Sequence, residues 1–291
     1  ARIPVEVEYA SEFRYRNPLI DDKTLLIVVS QSGETADTLA CLREAKKKGA
    51  RTLAITNVVG SSVSREAHDV FYTWAGPEIA VASTKAYLTQ LVALNILTLY
   101  FAELKGTKTF EEIDEIKKEL LLLPEKVERV IKNKEVVQKF ASRHYMERSM
   151  FYLGRGLDYA LALEGSLKMK ELTYIHSEAY PGGELKHGPI ALIEKGTVVI
   201  TSFTQVALRE KMLSNIKEVV TRGASILAVA YEDDHSLEES IEAIIPIPKT
   251  LDSLAPIIAV VPLQLLAYYI AVQKGLDVDK PRNLAKSVTV E

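Results

Sequence analysis

Short apolar runs alternate with amphipathic stretches along most of the chain. Leu25–Val29 has five apolar residues in succession, and Thr52–Thr56 and Val70–Thr73 are also mostly apolar. Such runs are typical of parallel strands that are covered on both faces. Residues 35–48 show helical periodicity between the first two runs and end at Gly49, a common residue after a helix. The alternation predicts a parallel sheet with right-handed crossovers.

The same pattern recurs in the second half of the chain. Strands are predicted at 151–154, 197–201 and 225–229, and helices at 161–174 and 207–221. The segment Gly223–Leu227 matches Gly49–Leu53, and each follows a helix of similar length, which indicates an internal duplication. We therefore predict an α/β protein of two domains, 1–135 and 136–291, each a parallel sheet flanked by helices in three αβα layers.

The remaining segments give weaker signals. Ala1–Tyr9 is expected to be a strand or its approach, and charged amphipathic stretches predict separate helices at 110–122 and 125–140. Residues 86–102 and 254–272 carry no charged side chain but are marginal in length for a membrane span and are interrupted by polar or proline residues. We expect both to be helices buried between domains or subunits, with no membrane segment.

Composition excludes several classes of function. The 36 basic and 39 acidic residues of the 291 nearly balance, without a basic run, so no nucleic-acid partner is expected. The single cysteine, Cys41, fits a reducing, cytoplasmic location, and we expect it to be a buried apolar residue. The five histidines show no metal-ligand spacing and no acidic cluster is present, so no metal and no cofactor are expected.

Three hydroxyl residues follow the first predicted strand, in the serine loop, Ser30-Gln31-Ser32-Gly33-Glu34-Thr35. Ligands bind at this end of an open parallel sheet, and the free N–H groups of a helix start suit a phosphate. The hydroxyls can donate to its oxygens, and Gly33 permits close backbone approach. The simpler alternative is a helix cap by Thr35 or Ser32. A lysine of the P-loop type and a GxGxxG motif are both missing, which disfavours nucleotides.

The corresponding position in the second half is expected at Thr201–Gln205. It lacks a glycine and contains Phe203. We therefore predict that the second copy has lost phosphate binding.

Two features could support acid–base chemistry. Glu164, Lys168 and Glu171 share one face of a predicted helix, and a carboxylate tuned by a lysine could move a proton between adjacent carbons. On spacing alone, a surface salt-bridge ladder is the simpler interpretation. His187 lies in a loop flanked by glycine and proline, where either a structural or a catalytic histidine could stand.

The motif Ser-x-Ser-Gly-x-Thr after a strand, in a duplicated α/β chain, resembles the SIS (sugar isomerase) domain family. Further motifs resemble the isomerase half of the glutamine:fructose-6-phosphate amidotransferases: Ala10-Ser11-Glu12-Phe13-Arg14-Tyr15-Arg16, Val81-Ala82-Ser83-Thr84-Lys85-Ala86, Glu184-Leu185-Lys186-His187-Gly188-Pro189 and the tail from Pro281 to Glu291. The likeness runs along the whole chain.

The resemblance implies roles for the acid–base residues. Glu171 matches the catalytic glutamate of the family and Lys168 its lysine partner. His187 matches the residue that opens the sugar ring and is donated to the neighbouring subunit, which implies a homodimer.

The resemblance also implies contacts with the sugar. The serine loop, with Ser30, Gln31, Ser32 and Thr35, would hold the phosphate. The tail would cover the active site, with Ala285 and Val81 making backbone contacts and Glu78 lining the pocket. Lys286 would face the substrate carbonyl, to stabilise enolate charge or to form a transient imine.

The implied reaction converts fructose 6-phosphate and ammonia to glucosamine 6-phosphate, with ammonia from a glutaminase domain. We expect the chain to be a fragment that lacks this glutaminase domain and a Gly-Thr-Ser loop at the start of the first SIS domain. The alternatives are a related amino-sugar-phosphate deaminase or deglycase, and a non-catalytic SIS sensor of sugar phosphates, which needs only the serine loop.

Overall fold

A computed structural model describes residues 1–237 and 241–289 of the chain. These form two compact units: unit 1 contains residues 1–113 and 283–289, and unit 2 contains residues 114–282. The predicted boundary after residue 135 differs from this division, and the tail, predicted with the second domain, packs in unit 1. One continuous helix, Phe110–Lys132, runs through the division, which explains why composition did not reveal it.

Unit 1 is built on a three-stranded parallel sheet in the order β1-β2-β3. Its elements are α1 (Ala10–Phe13), β1 (Leu25–Ser30), α2 (Ala36–Lys47), β2 (Arg51–Thr56), α3 (Ser62–Glu66), β3 (Asp69–Tyr72) and α4 (Lys85–Leu104), followed by α5 (Phe110–Lys132), which continues into unit 2. The core joins Val28 of β1 and Ala54 of β2 to Leu42 of α2 and Val63 of α3. The strands predicted at 25–29, 52–56 and 70–73 and the helix predicted at 35–48 are therefore confirmed.

Unit 2 is built on a five-stranded parallel sheet in the order β5-β4-β6-β7-β8. Its elements after α5 are α6 (Glu135–His144), β4 (Ser149–Gly154), α7 (Leu157–Thr173), β5 (His176–Pro181), β6 (Val198–Phe203), α8 (Arg209–Val220), β7 (Ser225–Tyr231), β8 (Ala243–Ile247) and α9 (Ala255–Gln273), with short 3-10 helices at Glu184–His187, Pro189–Leu192 and Val206–Leu208.

Helices cover both faces of the larger sheet. Met212 and Ile216 of α8 pack with Leu153 of β4 on one face. On the other face α7 packs against α9, and a Cβ on Gly165 would lie 2.8 Å from a ring carbon of Tyr152. This close approach requires glycine in the middle of α7. The predicted α/β class, with parallel sheets flanked by helices, is confirmed.

The internal duplication is visible in matching backbone hydrogen bonds. Arg51 N–H donates to Thr24 C=O at the start of β1 and β2, and Ser225 N–H donates to Thr197 C=O at the same place in unit 2. In unit 1, β1 ends at Ser30 and the N-cap of α2 is Thr35. In unit 2, β6 ends at Phe203 and the N-cap of α8 is Leu208, so the sequence separation is the same in both copies. The counterpart of the serine loop is therefore residues 203–208. The sequence-based match to 201–205 was wrong, because residues 201–203 belong to β6.

Two predicted segments also differ from the structure. Ala1–Tyr9 forms no strand, and Val5 and Val7 are exposed without a neighbouring strand to pair with. The predicted break near residue 123 is absent, because α5 continues through Pro124. Leu123 and Val130 are buried on either side of this proline, and the packing outweighs the lost backbone hydrogen bond.

Two helices are long and apolar enough to span a membrane by length and composition alone, α4 and α9. In α9, 72% of the apolar window is buried inside the structure, as in the core helix of a folded domain. In α4 only 17% of it is buried. The burial of α9 within the chain is therefore shown, and burial of α4 against another subunit stays a prediction.

Candidate active site

The serine loop forms a compact turn at the carboxyl end of β1. Ser30 Oγ accepts a hydrogen bond from Gly33 N–H at 3.1 Å and lies 3.0 Å from Thr35 Oγ1. Ser32 Oγ accepts from Glu34 N–H at 3.2 Å. Thr35 occupies the N-cap position of α2, but its side chain makes no capping hydrogen bond. The hydroxyls therefore do not act as the helix cap that is the simpler interpretation of this sequence.

The serine loop is attached to the start of α3 through Glu34 and Gly33. The Glu34 carboxylate accepts hydrogen bonds from Ser62 Oγ at 2.6 Å and Ser62 N–H at 2.7 Å, and these hold the pKa of Glu34 below its ordinary value. Gly33 has φ +66°, and a Cβ there would lie 2.2 Å from Ser61 Oγ. Both observations require glycine at position 33.

The carboxyl-terminal tail lies on the serine loop. Ser287 Oγ is 3.1 Å from Ser32 Oγ, and Ala36 N–H, in the first turn of α2, donates to Val288 C=O at 3.3 Å. The tail therefore reaches the N–H groups predicted to receive a phosphate. Val290 and Glu291, which belong to the predicted tail motif, lie outside the described residues.

Lys286 and Glu78 form a partly buried ion pair in unit 1. Lys286 Nζ donates to Glu78 Oε2 and to Ala80 C=O, both at 2.8 Å. Glu78 Oε1 accepts from Thr84 N–H and Ala86 N–H at the start of α4. Burial raises the pKa of Glu78, but the hydrogen bonds from Lys286 and the backbone outweigh this and hold the pKa below its ordinary value.

The two predicted backbone contacts of the sugar belong to the same unit. Val81 is half-buried directly after Ala80, and Ala285 is exposed directly before Lys286. The ion pair between Glu78 and Lys286 thus brings the segments that carry Val81 and Ala285 together.

In unit 2, Lys168 lies between two carboxylates on α7. Its Nζ is 2.5 Å from Glu171 Oε2 and 3.5 Å from Glu164 Oε1. The Lys168 side chain is only 4% exposed, that of Glu164 11% and that of Glu171 21%. A ladder of surface salt bridges is therefore wrong for this helix, because solvent does not screen the pair around Lys168.

His187 ends the 3-10 helix Glu184–His187 and is exposed. Gly188 follows it with φ +148°, a backbone conformation that favours glycine. Earlier in this segment, Gly182 packs so tightly that a Cβ would lie 2.7 Å from Asn215 Oδ1. Within the described part of the chain, the His187 side chain forms no hydrogen bond or ion pair.

Residues 203–208, the counterpart of the serine loop, are filled by two carboxylates of the same unit. Asp158 accepts hydrogen bonds from Thr204 N–H, Thr204 Oγ1 and Gln205 N–H, and Asp252 accepts from Val206 N–H. Asp158 is 3% exposed, and burial raises its pKa. Sequence reasoning missed Asp158. Its only signal was an acidic residue in the first turn of the helix that follows the glycine loop.

Two further expectations concern single residue types. Cys41 is buried, its Sγ donates to Ala10 C=O, and burial raises its pKa to about 11, as expected of an inert buried thiol. In residues 1–237 and 241–289, no three His, Cys, Asp or Glu side chains are grouped as metal ligands would be.

This architecture, two parallel sheets with matching strand–helix connections and a hydroxyl-rich loop after one strand, defines the class of duplicated α/β proteins. The model of the SIS domain matches residues 1–100 and 145–274, and the chain belongs to the SIS domain family.

Individual members of this family are similar to the chain over its full length. The chain is 65% identical over its full length to glutamine–fructose-6-phosphate aminotransferase (isomerizing) of Clostridium tetani and 50% identical to that of Thermus thermophilus. It spans about half the length of these relatives, 48% in each case.

Solved structures agree with the relatives. The C-terminal domain of glucosamine-fructose-6-phosphate aminotransferase from Francisella tularensis aligns with a TM-score of 0.91 at 41% identity, over 96% of this chain and 80% of that chain. Glucosamine-6-phosphate deaminase from Thermotoga maritima aligns with a TM-score of 0.77 at 26% identity, over 96% and 80% of the two chains. The resemblance inferred from the motifs is confirmed.

Proposed function

We propose that the chain is the isomerase half of a glucosamine-6-phosphate synthase. It would convert fructose 6-phosphate and ammonia to glucosamine 6-phosphate and water. The observation that carries this proposal is the pair of buried Lys168 and partly buried Glu171, with 2.5 Å between Nζ and Oε2. A sensor of sugar phosphates needs the serine loop alone, whereas a carboxylate buried against a lysine is suited to proton transfer.

The proposed chemistry has three steps. His187 takes a hydroxyl proton and opens the ring, which exposes the C2 carbonyl. Ammonia adds to this carbonyl and water leaves, so that an imine forms at C2. Glu171 removes a proton from C1 and returns a proton to C2, and the C1 hydroxyl proton is replaced by one gained at the imine nitrogen, which leaves an aldehyde at C1 and an amine at C2.

The serine loop and the tail have supporting roles in this proposal. Ser30, Ser32 and Thr35 donate to the 6-phosphate, with backbone N–H groups of the loop, including that of Gln31. Lys286 supplies positive charge for the developing enolate. Its ion pair with Glu78 favours this role over imine formation, because an ammonium held by a carboxylate is not a nucleophile.

The assembly is also part of the proposal. A glutaminase domain in the same polypeptide or a partner chain supplies ammonia, and the protein works in the cytoplasm as a homodimer. His187 is exposed and unbonded within the described part of the chain, which suits a side chain donated to the neighbouring subunit.

Glu171→Gln tests the proposal. We expect this variant to lose deuterium exchange at C1 and C2 of fructose 6-phosphate, and ammonia-dependent formation of glucosamine 6-phosphate, by about 100-fold or more. It should keep the affinity of the parent chain for inorganic phosphate. The reciprocal variant Ser32→Ala should weaken phosphate binding. Normal exchange in Glu171→Gln would rule out Glu171 as the proton carrier.

The reverse reaction is a second candidate, favoured by the similarity to a glucosamine-6-phosphate deaminase at 26% identity. The test is to supply glucosamine 6-phosphate alone and to measure ammonia release. A synthase should release ammonia slowly and form glucosamine 6-phosphate readily when ammonia is added. A deaminase should show the opposite preference.

A further inference from the structure

The position of the His187 side chain depends on the backbone of its own segment. The side chain forms no hydrogen bond or ion pair within the described part of the chain, and it ends the 3-10 helix Glu184–His187. Two glycines, Gly182 and Gly183, precede this short helix, and Gly188 follows it. Glycine loses more backbone freedom on folding than any other residue, and 3-10 turns have poor hydrogen-bond geometry. Contacts with other elements are therefore needed to fix the segment.

Helix α8 supplies both apolar and polar contacts to this segment. Leu185 is fully buried in a cluster that includes Met212 and Ile216 of α8. Asn215 lies on the same face of α8 and is only 2% exposed. Asparagine is a weaker helix former than leucine or methionine, and burial of an amide is costly unless it is hydrogen-bonded. Asn215 therefore needs a specific partner at this position.

That partner is Arg155, in the loop between β4 and α7. Arg155 Nε donates to Asn215 Oδ1 at 2.8 Å. The guanidinium lies against Gly183, where a Cβ would be 3.1 Å from Nη2 of Arg155. A Cβ on Gly182 would be 2.7 Å from Asn215 Oδ1. The two side chains therefore pack directly on the two glycines that begin the segment of His187.

We propose that Asn215 is a positioning residue for His187: it holds Arg155 against Gly183 and thereby fixes the start of the segment that carries the histidine. This inference rests on the proposed function, in which His187 takes a hydroxyl proton and opens the sugar ring. Proton transfer requires a distance of roughly 2.6–3.2 Å between the two heavy atoms. A misplacement of about 1 Å can lower the rate roughly 100-fold. The contact of Asn215 with Arg155 keeps the segment within that limit.

A second polar contact between α8 and the segment is weaker. Lys186 Nζ lies 2.7 Å from Glu218 Oε1, but the lysine side chain is 58% exposed. Solvent screens such a pair, and it adds little stability. The contact also acts on a long side chain rather than on the backbone of the segment. Glu218→Gln is therefore the matched control, because it changes the same helix and the same segment.

A substrate that is always open separates positioning from a general structural role. 5-Deoxyfructose 6-phosphate has no C5 hydroxyl and carries its phosphate at C6, so neither a five-membered nor a six-membered ring can close. Asn215→Leu removes the acceptor for Arg155 and keeps a branched side chain of similar shape. In the 291-residue chain, we expect kcat for C1–C2 deuterium exchange of fructose 6-phosphate to fall about tenfold to hundredfold. Exchange of the deoxy substrate should stay within about twofold of the parent rate.

Three further variants complete this test. Asn215→Asp keeps an oxygen acceptor for Arg155 and should retain exchange of fructose 6-phosphate. Arg155→Met removes the donor at a half-buried position, so it should show the same substrate dependence as Asn215→Leu and replaces that variant if it does not fold. The double variant should lose no more than either single variant. Glu218→Gln should exchange both substrates at the parent rate. Equal losses for both substrates in Asn215→Leu and Arg155→Met, or parent-like exchange of fructose 6-phosphate, overturn the proposal.

His187→Gln separates failure of this proposal from failure of the proposed function. It should lose exchange of fructose 6-phosphate and keep that of the deoxy substrate, and equal losses would remove His187 from ring opening. If His187→Gln shows this difference and Asn215→Leu does not, only the positioning role fails.

Amide hydrogen exchange gives a reading without turnover. In Asn215→Leu, the peptide 182–188 should exchange at least about tenfold faster, while peptides of β7 keep the parent rate. If the parent chain exchanges neither substrate, the proposed function fails. The amide exchange then still decides whether Asn215 holds the segment, and unchanged protection of residues 182–188 contradicts the proposal.

Discussion

Gly33 in the serine loop combines a left-handed backbone with a site where a Cβ would meet a neighbouring side chain. Each feature adds to the free energy lost when a larger residue replaces Gly33, and the two contributions can be measured separately. In Gly33→Ala the new Cβ would sit 2.2 Å from Ser61 Oγ, 2.6 Å from Ser61 Cβ and 2.9 Å from Thr56 Oγ1. The backbone φ of +66° adds a cost of its own for any residue with a Cβ.

The expected loss follows from these two terms. A left-handed conformation costs a non-glycine residue roughly 1–2 kcal/mol. Overpacking a filled site costs about 1–3 kcal/mol. Gly33→Ala should therefore destabilise unit 1 by about 2–5 kcal/mol. Gly60→Ala is the control for the first term, because Gly60 has φ +75° with no heavy atom within 4 Å of a new Cβ. It should cost only about 1–2 kcal/mol.

Amide hydrogen exchange followed by mass spectrometry measures this loss locally. In Gly33→Ala, peptides of β1 and β2 should exchange at least about thirtyfold faster, which corresponds to 2 kcal/mol. Adding Ser61→Gly should recover about 1–2 kcal/mol, because it removes the two shortest contacts, while the contact with Thr56 Oγ1 at 2.9 Å and the backbone cost remain. Equal losses in Gly33→Ala and Gly60→Ala, or no recovery with Ser61→Gly, would refute the reasoning.

Two further predictions concern buried carboxylates. The pKa of Glu78 is held below its ordinary value of 4.5, so its ion pair with Lys286 stabilises unit 1 fully above pH 4.5 and loses this contribution as the pH falls through the lowered pKa. The amides at the amino terminus of α4 should therefore lose protection from hydrogen exchange on acidification. Glu78→Gln should abolish this pH dependence. Asp158→Asn should destabilise unit 2 by about 1–3 kcal/mol, because an amide cannot accept from all three donors at Thr204 and Gln205. Urea unfolding measures this loss. Asp252→Asn is the control, because Asp252 is more exposed and accepts one weaker hydrogen bond, and an equal loss in this variant would contradict the prediction.

In the larger sheet the central strands could be predicted from the sequence, whereas the two edge strands could not. The predicted run 197–201 is apolar because it lies largely in β6, which is buried at every position, and this pattern is local. The missed strands β5 and β8 lie at the two edges of the larger sheet. Edge strands tolerate polar residues and proline, and Pro246 lies within β8, so their pattern resembles that of a loop.

The features of the candidate site also divide into those with a local signal in the sequence and those without one. The serine loop was predictable because its three hydroxyls and glycine are adjacent in sequence and follow a strand. Spacing along one helix brought Lys168 and Glu171 together, but it could not show that Lys168 is buried, since burial depends on α9, about a hundred residues further along the chain. The contact of Ser287 with Ser32 spans the whole chain and has no local signal.

The carboxylates of Asp158 and Asp252 give residues 204–206 of unit 2 hydrogen-bond acceptors from within the chain. A phosphate that binds the serine loop stabilises unit 1 by mass action, by about 2.7 kcal/mol at a concentration a hundredfold above Kd. The N–H groups of Thr204 and Val206 are already bound to the carboxylates of Asp158 and Asp252, so phosphate in solution does not stabilise residues 203–208 in this way. Under the proposed function, the stability of unit 1 therefore responds to the supply of sugar phosphate, whereas residues 203–208 of unit 2 have a permanent counter-charge from Asp158 and Asp252.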